Sequence, residues 1–410
     1  MSDCRLCRRD GIRDWLDFGP QALTNRFLQS RDEAEYLHPC KLGVCRSCGT
    51  LQLESPVPVA EMRPRFDWIS YNEPESHLDE VANVIAKLPG ISADSTIGGI
   101  TYKDESTLKR LNALGLPKTW LAHIRDDLGV DSLLGGIESV QDKLTVGTAD
   151  RLAEKYGRPD VLLVRHVLEH SYDIHEVLAA TRHLAKPDGY VLFEMPDARK
   201  ALERHDYTTV WEEHLFYFTP ATLRHCFALA GFEVAYLNRF YYSQEDVLVA
   251  IVKPGVAALR SEDSGARLNC EQLAFEVDRG DRFIKAFPRY RDRIREAVAG
   301  FTKVALLGAG HLSGAFINLY GLEGAIDFVA DDNVKKHGLF MPGSKAPILP
   351  SSELVKRNIG LCLMTVRAEI EDVVAAKNAM FTARGGILAS IFPESKYSFE
   401  KLGHAAGKAA

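Results

Sequence analysis

Four of the eight cysteines form two close pairs near the start of the chain and could bind a metal ion. Cys4 and Cys7 make one Cys-x-x-Cys pair, and Cys45 and Cys48 make a second pair after 37 intervening residues. Two such pairs can complete a closed tetrahedral shell of thiolates. The spacing predicts a structural Zn²⁺ with no open position for catalysis; free thiols, a lost site and an iron–sulfur cluster are the alternatives. Cys40 is either a spare ligand or a small buried apolar residue.

Polar side chains also follow two apolar runs in the middle of the chain. The run over residues 161–164 leads directly into Arg165, His166, Glu169 and His170. A second run, over residues 190–194, ends in Glu194. Ligands bind at the carboxyl ends of strands in open α/β sheets, so we expect these residues to line a binding site. The alternative is that they are ordinary loop residues after strands.

A third group of residues could perform acid–base chemistry. The stretch from Trp211 to Phe218 places His214 beside Glu213 and among aromatic side chains. A histidine with a neighbouring carboxylate in a partly dry pocket is the composition of a tuned general base. By composition alone, a packed core histidine is the alternative.

A glycine-rich turn marks a fourth candidate site near the C-terminal quarter of the chain. Gly308 and Gly310 follow an apolar run and precede the helix that we expect to begin at His311. Such glycines allow a tight turn, and a helix N-terminus can receive a phosphate. Asp331 lies 23 residues after Gly308, at the place of a ribose-binding acid. The pattern predicts nucleotide contact, with a nicotinamide cofactor or a purely structural turn as alternatives.

The elements that must position these residues alternate between strands and helices. The strand candidates are Thr119–Ile124, Val161–Val164, Tyr190–Glu194, Val247–Val252, Val304–Leu307 and Ile326–Ala330. The helix candidates are Glu75–Leu88, Leu108–Leu114, Ile174–Leu184 and Pro220–Ala230, and the charged region 261–300 has a helical pattern. This alternation predicts an α/β fold with mostly parallel, helix-covered sheets.

Composition sets limits on the function. The 410 residues carry a formal net charge of −6, which argues against a general electrostatic nucleic-acid binder. No run of 18 apolar residues is present and the N-terminus lacks the apolar core of a signal peptide, so we expect no membrane partner and a cytoplasmic location. We predict a zinc-binding module over 1–75, a Rossmann-like domain over 76–255, a helical connection over 256–300 and a C-terminal Rossmann-like α/β domain over 301–410.

Several short motifs in this order resemble the deoxysugar C-methyltransferases that act on nucleotide-linked keto-sugars. The matching segments are the two cysteine pairs with Phe18–Asn25, Arg165–His170, Pro187–Gly189, Glu194–Pro196, Glu213-His214-x-x-Tyr217-Phe218, and Asp331 through Met341–Gly343. The resemblance covers nearly the full chain. It implies a zinc module, a central S-adenosylmethionine-dependent methyltransferase domain, a C-terminal α/β domain and a nucleotide-sugar substrate.

The resemblance also implies roles for individual residues. His214, supported by Glu213, would remove a proton next to a ketone, and the enolate would attack the methyl of S-adenosylmethionine. The implied cofactor-binding residues are Gly98, Gly99, Lys103, Asp104, Asp126, Arg165, His166 and Glu169. The implied substrate-binding residues are Tyr71, His77, His170, Glu194, Trp211, Tyr217, Gly308, Gly310 and His311.

The chain departs from the family pattern at two places. The family's Tyr-His-Glu-His reads Trp211-Glu212-Glu213-His214, which removes a hydroxyl that could polarise a ketone. The cofactor loop reads Thr96–Thr107, and Lys103 within it would face a positive sulfonium unless a neighbouring carboxylate compensates. The ribose-binding acid is missing from its usual place, where Asp126 or Asp127 would substitute.

Three functions therefore remain open from the sequence. The first is C-methylation of a nucleotide-linked keto-deoxysugar, and the second is another reaction on a sugar nucleotide with a cofactor such as NAD(P). The third is a non-catalytic nucleotide-sugar-binding protein. The sequence leaves the oligomeric state open between a monomer and a homodimer.

Overall fold

The computed structural model describes residues 2–69, 73–130, 139–255, 268–399 and 401. The chain divides into two compact units. Unit 1 comprises Met1–Leu16, Lys41–Glu203 and Glu213–Ile284, and unit 2 comprises Asp17–Cys40, Arg204–Glu212 and Lys285–Ala410. The domain boundaries expected from the sequence stay predictions.

The N-terminal region is a small antiparallel sheet whose turns carry the cysteine pairs. Its elements are β1 (Ser2–Asp3), β2 (Asp10–Ala22), β3 (Leu37–Cys45), β4 (Leu51–Leu53) and helix α1 (Val59–Met62). Within unit 1, Leu42 of β3 pairs with Leu53 of β4, and both side chains are buried. The β1–β2 turn and the β3–β4 turn therefore each present one Cys-x-x-Cys pair.

The central region alternates strands and helices, as the sequence predicts. Its elements are α2 (Leu78–Ala86), β5 (Ile97–Gly99), α3 (Glu105–Ala113), β6 (Thr119–Leu121), α4 (Val146–Tyr156), β7 (Val161–Arg165), α5 (Ile174–Leu184), β8 (Tyr190–Asp197), α6 (Arg199–Arg204), β9 (Phe216–Tyr217), α7 (Pro220–Leu229), β10 (Phe232–Phe240), β11 (Asp246–Pro254) and α8 (Cys270–Ala299). Short 3₁₀ turns occupy Tyr102–Asp104, Leu168–His170 and Tyr207–Thr209.

The central sheet brings the predicted site residues to one edge. Its strand order is β10-β11-β8-β7-β5-β6, in which the last four strands are parallel and β10 and β11 are antiparallel. Gly99 pairs with Leu163, and Arg165 pairs with Glu194. Parallel strands end at the same edge of a sheet, so the residues after β5 and β7 lie beside Glu194.

Unit 2 contains a fully parallel five-stranded sheet. Its elements are β12 (Val304–Leu307), α9 (His311–Tyr320), β13 (Ile326–Ala330), β14 (Ile348–Leu349), α10 (Glu353–Lys356), β15 (Leu361–Met364), α11 (Glu371–Lys377), α12 (Ala379–Ala383) and β16 (Ile387–Ser390). The strand order is β14-β13-β12-β15-β16. This topology confirms the expected Rossmann-like C-terminal fold. No helix in the described part of the chain has the length and apolar character needed to cross a membrane.

Candidate functional site

The four paired cysteines converge on one point in unit 1. The Sγ atoms of Cys4 and Cys48 are 3.6 Å apart, those of Cys7 and Cys45 are 3.7 Å apart, and all four lie within 4.8 Å of one another. A tetrahedral Zn²⁺ with Zn–S bonds of about 2.3 Å separates its thiolates by about 3.8 Å, whereas a disulfide needs about 2.05 Å. The donor set and its spacing therefore fit zinc.

The surrounding backbone supports the thiolates. The amide of Cys7 donates to Cys4 Sγ, and the amide of Ser47 donates to Cys45 Sγ. A Cβ on Gly11 would lie 2.7 Å from Cys45 Sγ, so only glycine fits there. Cys40 lies outside this cluster, and burial raises the pKa of its thiol to about 12, which favours the apolar interpretation.

A buried ion pair forms the centre of the cluster at the sheet edge. Nε and Nη2 of Arg165 each donate to a different oxygen of Glu194 at 2.9 Å, and both side chains are fully buried. The Arg165 guanidinium also donates to the Lys103 carbonyl and to Ser106 Oγ. Burial opposes ionisation of Glu194, but Arg165 and the neighbouring histidines hold its pKa well below the usual range.

His166 bridges two carboxylates beside that ion pair. Its Nδ1 lies 3.2 Å from Glu169 Oε1, and its Nε2 lies 3.1 Å from Glu194 Oε1. Burial opposes protonation, but these hydrogen bonds raise the pKa of His166 to about 10, so the ring is an imidazolium at neutral pH. The residue has a φ of 54°, an uncommon backbone conformation outside glycine, which turns the ring between its two partners.

Two further basic residues lie near Glu194. His77 Nε2 is 3.2 Å from Glu194 Oε2, and its Nδ1 is 2.8 Å from the Tyr242 hydroxyl. Lys103 pairs with Glu73 at 3.6 Å, and burial lowers the pKa of the lysine. Tyr242 and Glu73 were not predicted from the sequence, because neither follows a recognisable strand or motif.

His214 lies at the other end of the same cluster, next to His170. The two rings meet edge to face with centroids 4.6 Å apart. One ring nitrogen of each histidine and one carboxylate oxygen of Glu169 all lie within 4.8 Å of one another. His170 Nδ1 donates to the Glu213 carbonyl at 3.0 Å, and burial lowers the pKa of His170, so this ring is neutral. The Tyr217 ring is 6.3 Å from that of His214.

The prediction that Gly98 and Gly99 lie in a cofactor-binding loop is wrong about their local structure. Gly98 and Gly99 belong to β5 itself, where Gly98 leaves room for the Trp120 ring, whose nearest atom would be 2.2 Å from a Cβ. The turn after β5 is held by Asp104, whose Oδ2 accepts from the amides of Ile100 and Thr101. Burial raises the pKa of Asp104 to about 6. The turn therefore directs these two amides to its own carboxylate rather than to a ligand.

The acidic residues after β6 are also placed differently from the expectation. Asp126 is exposed and pairs with His123 at 3.1 Å. Asp127 accepts hydrogen bonds from Lys155 and Tyr156 and from the His123 amide. Neither carboxylate joins the Arg165–Glu194 cluster in the described residues. Tyr71, a predicted substrate residue, lies outside the described residues.

Trp211 and His311 meet in unit 2. Their rings are 4.1 Å apart, and the two nitrogens of His311 lie 2.9 Å from Thr24 Oγ1 and 3.0 Å from the Thr208 carbonyl. Thr24 also donates its amide to Glu212 Oε1 at 2.5 Å. The Phe18–Asn25 motif thus supplies Thr24 to this group, a role that its sequence alone did not indicate.

The glycine turn of unit 2 is braced by Asp331. The Asp331 carboxylate accepts from the Ala309 amide at 2.9 Å and pairs with Lys336 at 2.9 Å. Gly308 has a φ of 110°, and a Cβ there would lie 3.1 Å from Thr365 Oγ1, whereas a Cβ on Gly310 would meet nothing within 4 Å. The carboxylate that a nicotinamide cofactor's ribose would need is thus bound to the turn itself.

Three family models match successive parts of the chain. A putative zinc-binding domain matches residues 4–62, a methyltransferase domain matches 100–237, and a C-methyltransferase C-terminal domain matches 252–393. Together these matches support a C-methyltransferase family for this chain. Its cofactors are S-adenosylmethionine and zinc, and the resemblance noted from the sequence is confirmed at this level.

One curated protein and two solved structures are similar to the chain. The chain is 25% identical to the C-methyltransferase NovU of Streptomyces niveus over 370 residues, which cover 85% of each protein. Among solved structures, it is similar to the 1,6-didemethyltoxoflavin-N1-methyltransferase of Burkholderia thailandensis, with 13% identity and a TM-score of 0.31 over 44% of this chain and 80% of that one. A methyltransferase of Anabaena variabilis gives 12% identity and a TM-score of 0.30 over 43% and 83%.

Two buried polar side chains near the loop after β7 lack hydrogen-bond partners among the described residues. Ser139 Oγ and Gln141 Oε1 are buried and have no hydrogen-bond partner in the described residues. The Gln141 carbonyl accepts from the Tyr172 amide, which places Gln141 beside the loop after β7. Buried polar atoms of this kind need partners, which the adenosine of a bound donor can supply. The residues present thus fit the donor, although the β5–α3 turn does not offer it the usual backbone amides.

Proposed function

We propose that this enzyme transfers a methyl group from S-adenosylmethionine to a carbon of a nucleotide-linked keto-deoxysugar, with His214 as the base. The observation that carries this proposal is the placement of His214. It lies on the segment that resembles the family's catalytic motif and is buried at the edge of the methyltransferase sheet, against a neutral His170.

The chemistry requires a neutral base next to an acidified C–H bond. A ketone acidifies the neighbouring carbon, and an imidazole near pH 7 can accept that proton. The donor supplies an electrophilic methyl, so a C–C bond forms as a C–S bond breaks and the sulfur departs neutral. His214 keeps the proton until the product leaves. The burial of His214 keeps water away from the enolate and favours attack on the methyl group.

Glu213 supports the base through its backbone. Its carbonyl accepts the Nδ1 proton of His170 and so fixes the tautomer of that ring. A neutral His170 adds no positive charge beside His214 and does not oppose its protonation. The Trp211 and Glu212 substitutions fall in unit 2, where these side chains contact His311 and Thr24 respectively.

Unit 2 has a candidate phosphate-binding feature of its own, the glycine turn before α9. Gly310 precedes α9 and leaves open space where a side chain would stand, so a phosphate can approach the first turn of this ten-residue helix. Because both nitrogens of His311 already have partners within unit 2, its contribution is to hold the turn and Trp211 in place.

The experiment is methyl transfer from ¹³C-methyl S-adenosylmethionine to a nucleoside-diphosphate keto-deoxysugar, with the product examined by NMR. The expected product carries the label on a ring carbon next to the ketone, and the same sugar without the nucleotide reacts far more slowly. His214→Gln should lose at least ~10²-fold in rate. His183→Gln, which alters a solvent-accessible histidine paired with Asp150, is the matched control. Labelling of oxygen or nitrogen, or no transfer to any nucleotide-linked keto-sugar, would contradict the proposal.

A further inference from the structure

We propose that Glu169 is a positioning residue for the base: its second carboxylate oxygen binds the imidazolium that His214 becomes after taking the substrate proton. This inference rests on the proposed function, because it gives His214 a proton to hold. The sequence resemblance implied a contact of Glu169 with the cofactor instead.

The first observation is an unsatisfied oxygen. Glu169 is 1% exposed, and its Oε1 already receives a hydrogen bond from His166. Its Oε2 is buried and has no hydrogen-bond partner among the described residues. A buried carboxylate oxygen without a partner is costly, so it indicates a group that arrives during the reaction.

The second observation is the distance to the base. One carboxylate oxygen of Glu169 and one ring nitrogen each of His170 and His214 all lie within 4.8 Å of one another. An opposite charge at this separation in a buried site stabilises the charged form of a histidine. His170 is neutral and its Nδ1 proton is held by the Glu213 carbonyl, so Glu169 supplies the negative charge of this trio.

The same three residues form a histidine–histidine–carboxylate set that could hold a divalent cation. The neighbouring His166 argues for a proton instead. Its imidazolium donates to Glu169 Oε1 and already neutralises much of the carboxylate's charge, so a second, divalent charge at the same group would be repelled. A proton on His214 adds a single charge and a hydrogen bond that Oε2 lacks.

The charged and titratable groups around this trio come from several elements. They are His166 after β7, Glu194 on β8, Glu73 before α2, Glu213 before β9 and Tyr217 on β9. None of these supplies a cation to the unpaired Oε2 in the described residues.

The test is the pKa of His214 in the full-length, zinc-loaded protein, measured by NMR on ¹⁵N-histidine-labelled samples. The signal is assigned by its loss in His214→Gln. In Glu169→Gln we expect the pKa of His214 to fall by about one unit or more, because the negative charge is removed. Glu169→Asp should restore most of the difference. Glu233→Gln, which removes an exposed carboxylate on β10, should leave the pKa unchanged.

Metal content and fold are measured on the same samples. We expect one zinc per chain in the wild type and in Glu169→Gln, with the same circular dichroism spectrum. An unchanged His214 pKa in a folded Glu169→Gln variant would overturn the inference. So would a second metal equivalent that Glu169→Gln removes. Neither readout needs turnover, so failure of the proposed methyl transfer would be seen separately.

The pH dependence of the methyl-transfer rate is a second readout, and a purely structural role of Glu169 would not shift it. Methyl transfer by a base rises with pH through the pKa of that base. In Glu169→Gln this rise should move to lower pH by the same interval as the NMR pKa, and the plateau rate should fall because the base is weaker. A loss of rate without movement along the pH axis would contradict the inference.

Discussion

His166 is a buried cation that stabilises the fold, and it also lies within the candidate site. A histidine after a strand is expected to be a ligand-binding residue or an exposed loop residue. The structure instead gives both ring nitrogens carboxylate partners, Glu169 and Glu194, and holds the ring at a positive φ. Its contribution to folding therefore depends on its protonation.

This protonation predicts a pH dependence of stability. The pKa of His166 is raised from 6.5 to about 10 in the folded state, so its contribution is fully present below about pH 6.5 and is lost as the pH rises towards 10. His166→Gln should thus lie well below the wild type in free energy of unfolding at pH 6.5, and the gap should narrow steadily up to pH 9.5. Urea denaturation at several pH values measures the gap. A gap that is constant with pH would contradict the assignment of an imidazolium.

At the scale of elements, strands and helices with continuous apolar runs were predicted from the sequence, whereas a strand that contains glycines was not. Ile174–Leu184, Val304–Leu307 and Ile326–Ala330 have the bounds expected from the sequence. β5 was interpreted as a turn because it contains two glycines, whereas those glycines accommodate Trp120 and Asp104. β10 was not predicted because its side chains are mostly half-buried, which weakens the alternation of apolar and polar residues.

The glycine in β5 gives a prediction at this scale. In Gly98→Ala the new Cβ would stand 2.2 Å from the Trp120 ring, so the strand or the ring must move. We expect a loss of about 1–3 kcal/mol in the free energy of unfolding, as for other overpacked cores. Gly147→Ala is the matched control, because its Cβ would come no closer than 3.8 Å to another residue. The control should be neutral or stabilise helix α4 by up to about 1 kcal/mol. Equal stability of the two variants would contradict this packing.

At the scale of the whole molecule, the zinc site couples metal binding to folding. The ligands come from two turns that are separated by 37 residues in the chain, so the ion closes a loop that the unfolded chain would leave open. Cys48→Ser should lower the zinc content from one per chain towards zero and lower the melting temperature by at least ~5 °C. Cys270→Ser, which changes an exposed cysteine outside the cluster, is the control. Retention of full zinc by Cys48→Ser would contradict the four-cysteine shell.

The candidate site could be predicted only in part because it depends on pairings over long sequence separations. Arg165, Glu194, His170 and His214 were expected from their positions after strands or in a motif, and the structure places them in one cluster. Tyr242 joins the cluster of unit 1 and Thr24 joins the separate His311 group of unit 2, each through contacts across more than 150 residues of sequence that no local pattern encodes. The structure of the turn between β5 and α3 was likewise not predictable. There the Asp104 carboxylate accepts hydrogen bonds from the Ile100 and Thr101 amides, so these amides are not available to a ligand.

The central claim is that His214 removes a proton next to the ketone of the substrate. The most direct measurement is deuterium incorporation at that carbon in D₂O, with a nucleotide-linked keto-deoxysugar and S-adenosylhomocysteine in place of the methyl donor. The wild type should exchange the proton, His183→Gln should match it, and His214→Gln should be slower by at least ~10²-fold. Exchange by His214→Gln at the wild-type rate would contradict the account.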